Sequence, residues 1–253
     1  MILTDRTALV TGAGSGIGQA SARIIATHGA IVGVVDRDAV GAAETVAQIT
    51  AAGGRAMALV CDLTDDAALT ATFEGFIARQ GRIDILHNHA GAQVEGNLEQ
   101  VSLAGFDRSW SLNVRAHFLG ARLVMPHMRA AGRGVILNTS SSSGVLYDRE
   151  MIAYTTTKHA VIAMTRQMAG DYARFGIRVN ALCPGWVDTP FNGPFIAQMG
   201  GREAIQTYIR DKVPLGRWGT VDEIAEAVLF LVSDRSSYVT GQILVADGGE
   251  TVV

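Results

Sequence analysis

Seven short runs of β-branched and apolar residues, at 7–11, 31–36, 56–61, 83–88, 135–139, 178–183 and 242–246, alternate with longer stretches of helical periodicity at 16–28, 39–52, 65–80, 102–128, 152–175 and 221–231. This alternation constrains the fold more than any other feature. Parallel strands require a long crossover, usually a helix, and right-handed crossovers place helices on both faces of the sheet. The expected architecture is α/β, a seven-stranded parallel sheet with helices on both faces, forming a single domain over 1–253. With 253 residues, 48% of them hydrophobic, the chain can bury one large core. No linker, repeat or charge run divides it. The main irregular stretch, 185–219, is rich in Gly, Pro and aromatic residues, with a helical pattern near 202–212. A long loop inside a compact domain is usually functional, so this stretch is read as a substrate lid.

A net charge of −3 without a basic cluster argues against nucleic acid or an anionic membrane as partner. No apolar run reaches the roughly 18 residues of a membrane span, and no charged-then-apolar leader opens the chain, so a cytoplasmic protein is expected. Cys61 and Cys183 each end a short apolar run and read as buried structural thiols; neither has a CxxC partner. His87 and His89 alternate across a strand with no further ligands nearby, so no metal site is expected.

The first strand leads into Thr11-Gly12-Ala-Gly14-Ser15-Gly16-Ile17-Gly18 and then directly into a helix. Glycines permit a tight turn and close backbone approach, so a pyrophosphate can sit on the free N–H groups of the helix N-terminus. The spacing is G-x-x-x-G-x-G, because Ile17 stands where G-x-G-x-x-G needs glycine. Without lysine the loop is not a P-loop. Asp36 ends the second strand 18 residues after Gly18. A carboxylate there can accept from both ribose hydroxyls of NAD and repels the 2′-phosphate of NADP. Arg37, the next residue, is the one group nearby able to hold a phosphate. NAD is therefore the expected cofactor over NADP. Asp62, after the third strand, reads as an acceptor for the adenine amino group or as a helix N-cap.

Of the 21 basic residues only Lys158 and Lys212 are lysines, and Lys158 follows Tyr154 by four positions in Tyr154-Thr-Thr-Thr-Lys158. Residues four apart share one face of a helix. An ammonium beside a phenol favours phenolate. Moving a tyrosine from about 10 to about 7 takes roughly 4 kcal/mol, which one cation about 4 Å away supplies at an effective dielectric near 20.

Together these elements resemble the short-chain dehydrogenase/reductase family over essentially the whole chain. Thr11-Gly12-x-x-x-Gly16-Ile17-Gly18, Asn113, Ser141, Tyr154-x-x-x-Lys158, Pro184-Gly185 and Asp247-Gly248-Gly249 stand in the family's order and spacing. The resemblance implies a Rossmann fold and hydride transfer between a nicotinamide and an alcohol or carbonyl. It implies Tyr154 as general acid/base, Lys158 as the group that lowers its pKa and holds the nicotinamide ribose, and Ser141 as hydrogen-bond partner of the substrate oxygen. The serine run 140–143 leaves that assignment open by one place to Ser140. Asn113 would anchor a water linking Lys158 to solvent. Cofactor contacts are implied for Gly12, Ser15, Gly16, Ile17, Gly18, Asp36, Arg37, Asp62, Leu63, Asn88, Ala90, Gly91, Tyr154, Lys158, Pro184, Gly185, Val187 and Thr189. One departure is Asn88-His89-Ala90-Gly91, where the family has Asn-Asn-Ala-Gly; His89 reads as a structural substitute. The family's usual homotetramer, built on its two long helices and its last strand, is expected here from 102–128, 152–175 and the strand at 242–246.

Segments flanking the site bring Gln93, Ser141, Ser143, Tyr147, Arg149, Trp186 and Asn192 toward the substrate. This mixture suits a small polar molecule such as a sugar, polyol or hydroxy acid. The expected activity is NAD-dependent interconversion of a secondary alcohol and a ketone. An NADPH-dependent 3-oxoacyl thioester or keto reductase is the alternative within the same chemistry, and a catalytically silent NAD-sensing regulator is the reading from a different class.

Overall fold

A computed structural model of the protein describes residues 1–252. Its seven strands are β1 (Thr7–Thr11), β2 (Ile31–Asp36), β3 (Arg55–Val60), β4 (Ile85–Asn88), β5 (Gly134–Thr139), β6 (Ile177–Pro184) and β7 (Ile243–Ala246). The helices are α1 (Gly16–Thr27), α2 (Ala39–Ala51), α3 (Asp66–Gln80), α4 (Leu103–Trp110), α5 (Ala116–Ala131), α6 (Ile152–Tyr172), α7 (Gly193–Gln198), α8 (Arg202–Lys212) and α9 (Val221–Val232). All strand pairs are parallel, in the order β3-β2-β1-β4-β5-β6-β7. This is the expected Rossmann sheet, with strand ends shifted from the sequence expectation by at most two residues.

The inner strands are apolar on both faces because both faces are covered. Ala8 and Val10 of β1 join a core with α1, α2 and α9, whereas Leu9 between them joins the opposite core with α3, α5 and α6. Residues 31–36 and 134–139 alternate in the same way: Val32 and Val34 face one core and Val35 the other, Leu137 faces one and Ile136 the other.

Two departures bear on the site. The single helix expected over 102–128 is two helices, α4 and α5, joined by one wider π turn, Ser111–Arg115. Such a bulge adds a residue to a turn and is frequent at functional sites. Asn113 lies in it, fully buried. The stretch 185–219 holds α7, which the sequence pattern does not announce, besides the expected α8. It also has its own small core: Ile205, Ile209 and Val213, packed with Trp186, Ile196, Met199, Tyr208 and Trp218. Among the described residues no helix is long and apolar enough to cross a membrane.

Candidate active site

The strand order reverses between β1 and β4, and in open α/β sheets ligands bind in the crevice beyond the carboxyl ends of the strands at such a point. A cavity of about 490 Å³ opens there, within the usual range for small-molecule sites. Ser141, Tyr154 and Lys158 line it, as do Gln93, Ser143, Trp186, Asn192 and all the expected cofactor residues except Gly18 and Asn88. Asn113, Tyr147 and Arg149 do not line it either.

Gly12 (φ 65°) and Gly16 (φ 55°) are left-handed, which only glycine adopts freely. A side chain on Gly12 would lie 2.9 Å from the Ala90 Cα, closing the gap between the β1 and β4 loops. Gly18 sits behind the loop. Its virtual Cβ would fall 2.0 Å from the Gly12 carbonyl oxygen, so this glycine packs α1 against the loop and is not a cavity wall. The N-cap Ser15 makes no side-chain cap hydrogen bond. The first amides of α1 are thus left for a ligand, and the macrodipole favours an anion. Asp36 Oδ2 accepts the Gly14 N–H at 2.8 Å and Oδ1 accepts the Asp38 N–H at 2.9 Å. Two backbone donors fix the carboxylate and use about half of its acceptor capacity, leaving the rest for hydroxyl donors. These residues fit a dinucleotide. Asp62 Oδ1 accepts the Thr64 N–H and hydroxyl at 2.9 and 2.8 Å, which holds its pKa below the ordinary carboxylate value. The N-cap of α3 is Asp65, so Asp62 is free of that duty.

Asn88 lies one layer deeper than expected. Its amide donates to the His117 carbonyl at 3.2 Å and to Asn138 Oδ1 at 3.0 Å, joining β4 to α5 and β5. His89 contacts Thr139 Oγ1 through Nδ1 at 3.2 Å, while His87 Nε2 contacts the same hydroxyl at 2.9 Å. Burial, reinforced by the Lys158 charge, pushes the His89 pKa down to about 3, so the ring stays neutral.

At the reacting end Lys158 Nζ donates to the Thr139 carbonyl at 3.1 Å and lies 5.4 Å from the Tyr154 ring centroid. Burial lowers the Lys158 pKa to about 8. Burial also raises the Tyr154 hydroxyl above its ordinary value, with the facing Ser141 hydroxyl offsetting part of the rise. Desolvation of this 5% exposed phenol works against the lowered tyrosine pKa expected from the Tyr-Lys pair. Ser140 donates to the Lys158 carbonyl at 2.8 Å and braces α6, whereas Ser141 faces Tyr154. Asn113 clasps a loop rather than facing the cavity: Oδ1 accepts the Ala92 N–H at 2.8 Å, and the two Nδ2 hydrogens are shared among the Ala92 carbonyl, Ser109 and Thr157 at 2.9, 3.2 and 3.0 Å.

The far wall is aromatic and acidic. Phe191 lies 6.3 Å from the Tyr154 ring, and Trp186 stacks on Phe195 at 5.5 Å. Asn192 donates to the Val187 carbonyl at 2.7 Å. Tyr147 is 81% exposed and Arg149 is exposed, because the loop turns them outward. Between them Asp148 turns inward, bonded to the Ser143 hydroxyl. Asp148 and Glu250, both cavity-lining, escaped the sequence reading. Nothing local distinguishes Asp148 within a charged triplet, and Glu250 is brought in by the chain terminus. Cys61 and Cys183 are buried free thiols with pKa values raised by burial.

The family described as enoyl-(acyl carrier protein) reductase matches residues 12–251. Levodione reductase of Leifsonia aquatica is 37% identical over 98% of this chain and 95% of its own. A levodione reductase crystal structure superposes with a TM-score of 0.96 at 35% identity, covering 99% of both chains. A 7α-hydroxysteroid dehydrogenase solved with NADH and 7-oxo glycochenodeoxycholic acid gives 0.91 at 36%, over 98% and 94% of the two chains. A gluconate 5-dehydrogenase from Burkholderia cenocepacia solved with NADP and tartrate gives 0.92 at 36%, over 99% and 97%. With this match in sequence, fold and motif, the chain belongs to the short-chain dehydrogenase/reductase family of oxidoreductases.

Proposed function

We propose that this protein is an NAD-dependent dehydrogenase that interconverts a secondary alcohol and a ketone on a small, polar, uncharged metabolite such as a sugar or polyol. The observation that carries this reading is the placement of Ser141, Tyr154 and Lys158 in the same cavity as the glycine loop and Asp36. The glycine loop and α1 N-terminus hold the pyrophosphate, Asp36 the adenosine ribose, and Lys158 the nicotinamide ribose. When bound, NAD supplies the hydride acceptor and a positive charge. Ser141 orients the substrate oxygen, and Tyr154 takes its proton in oxidation and returns one in reduction. Lys158, charged below about pH 8, stabilises the phenolate that this exchange requires. Asn113 contributes by fixing the Ala92 loop beside Lys158 and by its place in the π turn. Asp148 and Glu250 place hydrogen-bond-accepting carboxyl oxygens at the substrate end, and Arg149 points away from it. That balance favours hydroxyl donors over the carboxylate of a hydroxy acid.

Arg37 lines the cavity next to Asp36 and supports a second reading, an NADPH-dependent keto reductase. The stretch 185–219 acts as the lid. Phe118, Met125, Met168, Tyr172 and Phe175 of α5, α6 and the turn after it form an apolar groove, flanked by Arg122 and Arg129. This groove supports a homotetramer paired through the long helices. The two free thiols fit the reducing cytoplasm.

The test is absorbance at 340 nm with NAD or NADP against neutral polyols, cyclic secondary alcohols, sugars and hydroxy acids. NADH formation from a neutral alcohol, abolished in Tyr154→Phe while NAD still binds, is the expected result. Turnover with NADP alone selects the keto reductase. Binding of NAD without turnover of any alcohol or ketone selects the sensor.

A further inference from the structure

Ser141 is not an isolated hydroxyl. Ser143, two residues on, is 6% exposed, and its hydroxyl is hydrogen-bonded to Asp148 Oδ2. A carboxylate only accepts, and a serine has one hydroxyl hydrogen. That hydrogen therefore belongs to Asp148, so Ser143 Oγ accepts from Ser141, whose oxygen lies 3.2 Å away, and this long contact holds the Ser141 hydrogen until a substrate oxygen takes it over. The Ser141 oxygen in turn accepts the Ser143 backbone N–H at 3.2 Å. Ser143 thus grips the Ser141 hydroxyl from both sides, and Asp148 decides the polarity of the grip. Remove the carboxylate, and Ser143 is free to donate to Ser141 or to turn away.

We propose that Asp148 is a positioning residue for the reaction, acting through the Ser143 hydroxyl to fix the orientation and donor direction of Ser141. This rests on the reading of Ser141 as the substrate-orienting hydroxyl. It also gives Ser143 a role behind Ser141 instead of a direct contact with substrate. Asp148 lies on the loop that precedes α6, six residues before Tyr154, so the loop that shapes the substrate end also sets the serine. A misplaced hydroxyl lowers the rate of the chemical step more than it weakens ground-state binding. The signature is accordingly in kcat.

The experiment is steady-state kinetics at 340 nm with trans-cyclohexane-1,2-diol and saturating NAD, on wild type, Ser141→Ala, Ser143→Ala, Asp148→Ala, Asp148→Asn and the Ser143→Ala/Asp148→Ala double variant. Asp148→Ala and Ser143→Ala should each lower kcat about tenfold or more with KM within about twofold, and the double variant should be no worse than either single, because the two act as one unit. Asp148→Asn, whose amide oxygen still accepts from Ser143, should recover most of the loss. Unchanged kcat in Asp148→Ala, losses that multiply in the double variant, or an Asn variant as poor as the Ala variant overturns the proposal. Should Asp148→Ala melt below the assay temperature, Ser143→Ala and Asp148→Asn carry the decision. A Ser141→Ala enzyme with full kcat, or a wild type inactive on the diol and on every other alcohol of the 340 nm panel, fails the underlying reading instead and takes the proposal with it.

Discussion

Trp186 Nε1 donates to Glu250 Oε1 at 2.9 Å, joining the first residues after β6 to the chain terminus across the substrate end of the cavity. The Tyr208 hydroxyl of α8 reaches the same oxygen at 3.3 Å, so one carboxylate ties three segments together. Its other oxygen is buried without a partner, and burial raises the Glu250 pKa.

The first expectation concerns this tie. Trp186→Phe keeps the stacking on Phe195 but removes the donor, a hydrogen bond to a charged group worth about 1.5–3 kcal/mol. We expect the substrate KM to rise about tenfold and the melting temperature to fall by about 3–8 °C, with NAD affinity little changed. Scanning fluorimetry together with KM measurements decides it, and an unchanged KM removes Glu250 and Trp186 from the substrate wall.

Asp36 should govern cofactor choice. Asp36→Ala eliminates the ribose acceptor, the anchor for the Gly14 amide and the charge that repels a 2′-phosphate. The expected outcome is a fall of about 10- to 100-fold in kcat/KM for NAD and a gain for NADP beside Arg37. If the variant prefers NAD as strongly as wild type, the ribose assignment is wrong.

Two glycines should answer alanine in opposite directions. At Gly18 the added methyl meets the Gly12 carbonyl at 2.0 Å, whereas at Gly75 in the exposed face of α3 it meets nothing within 4 Å. Gly18→Ala is expected to destabilise by about 1–3 kcal/mol or more and to weaken NAD binding. Gly75→Ala should stabilise by roughly 0.5–1 kcal/mol, since alanine is the better helix former. Urea titration of both variants measures this directly.

Stability should fall in mild acid. His87, His89 and His117 are held neutral by burial, His89 and His117 down to about 3 and His87 well below its ordinary 6.5. Between pH 6.5 and about 3 the unfolded chain binds protons that the folded chain refuses, so stability rises with pH in that window and is lost as pH drops through it. Each histidine contributes up to about 1.4 kcal/mol per pH unit. His89→Asn should flatten the slope of unfolding free energy against pH by about one proton; an unaltered slope would mean that His89 charges in the folded protein.

Much of the fold and half of the candidate site were legible because their signals are local. Period-two and period-3.6 patterns, a glycine loop between strand and helix, an acid at the next strand end and a Tyr-Lys pair one turn apart all act within a few residues. The helix break at 111–115 had no local signal in the chain, and Asn113, which lies in it, is bonded to Ala92, 21 residues away. The second acid of the substrate wall comes from a segment about a hundred residues beyond Asp148.

By itself the sequence determined the strand and helix periods, the glycine cradle, Asp36 and the spacing of Tyr154 and Lys158, since backbone geometry and neighbouring residues set these. Only the tertiary structure decided which of four serines faces Tyr154, that Asn88 lies beneath the cavity, that Asp148 turns inward while Tyr147 and Arg149 turn out, and that burial lifts the Tyr154 hydroxyl. Those outcomes depend on desolvation and on partners brought together by long-range packing, and neither quantity is written in any short window of the chain.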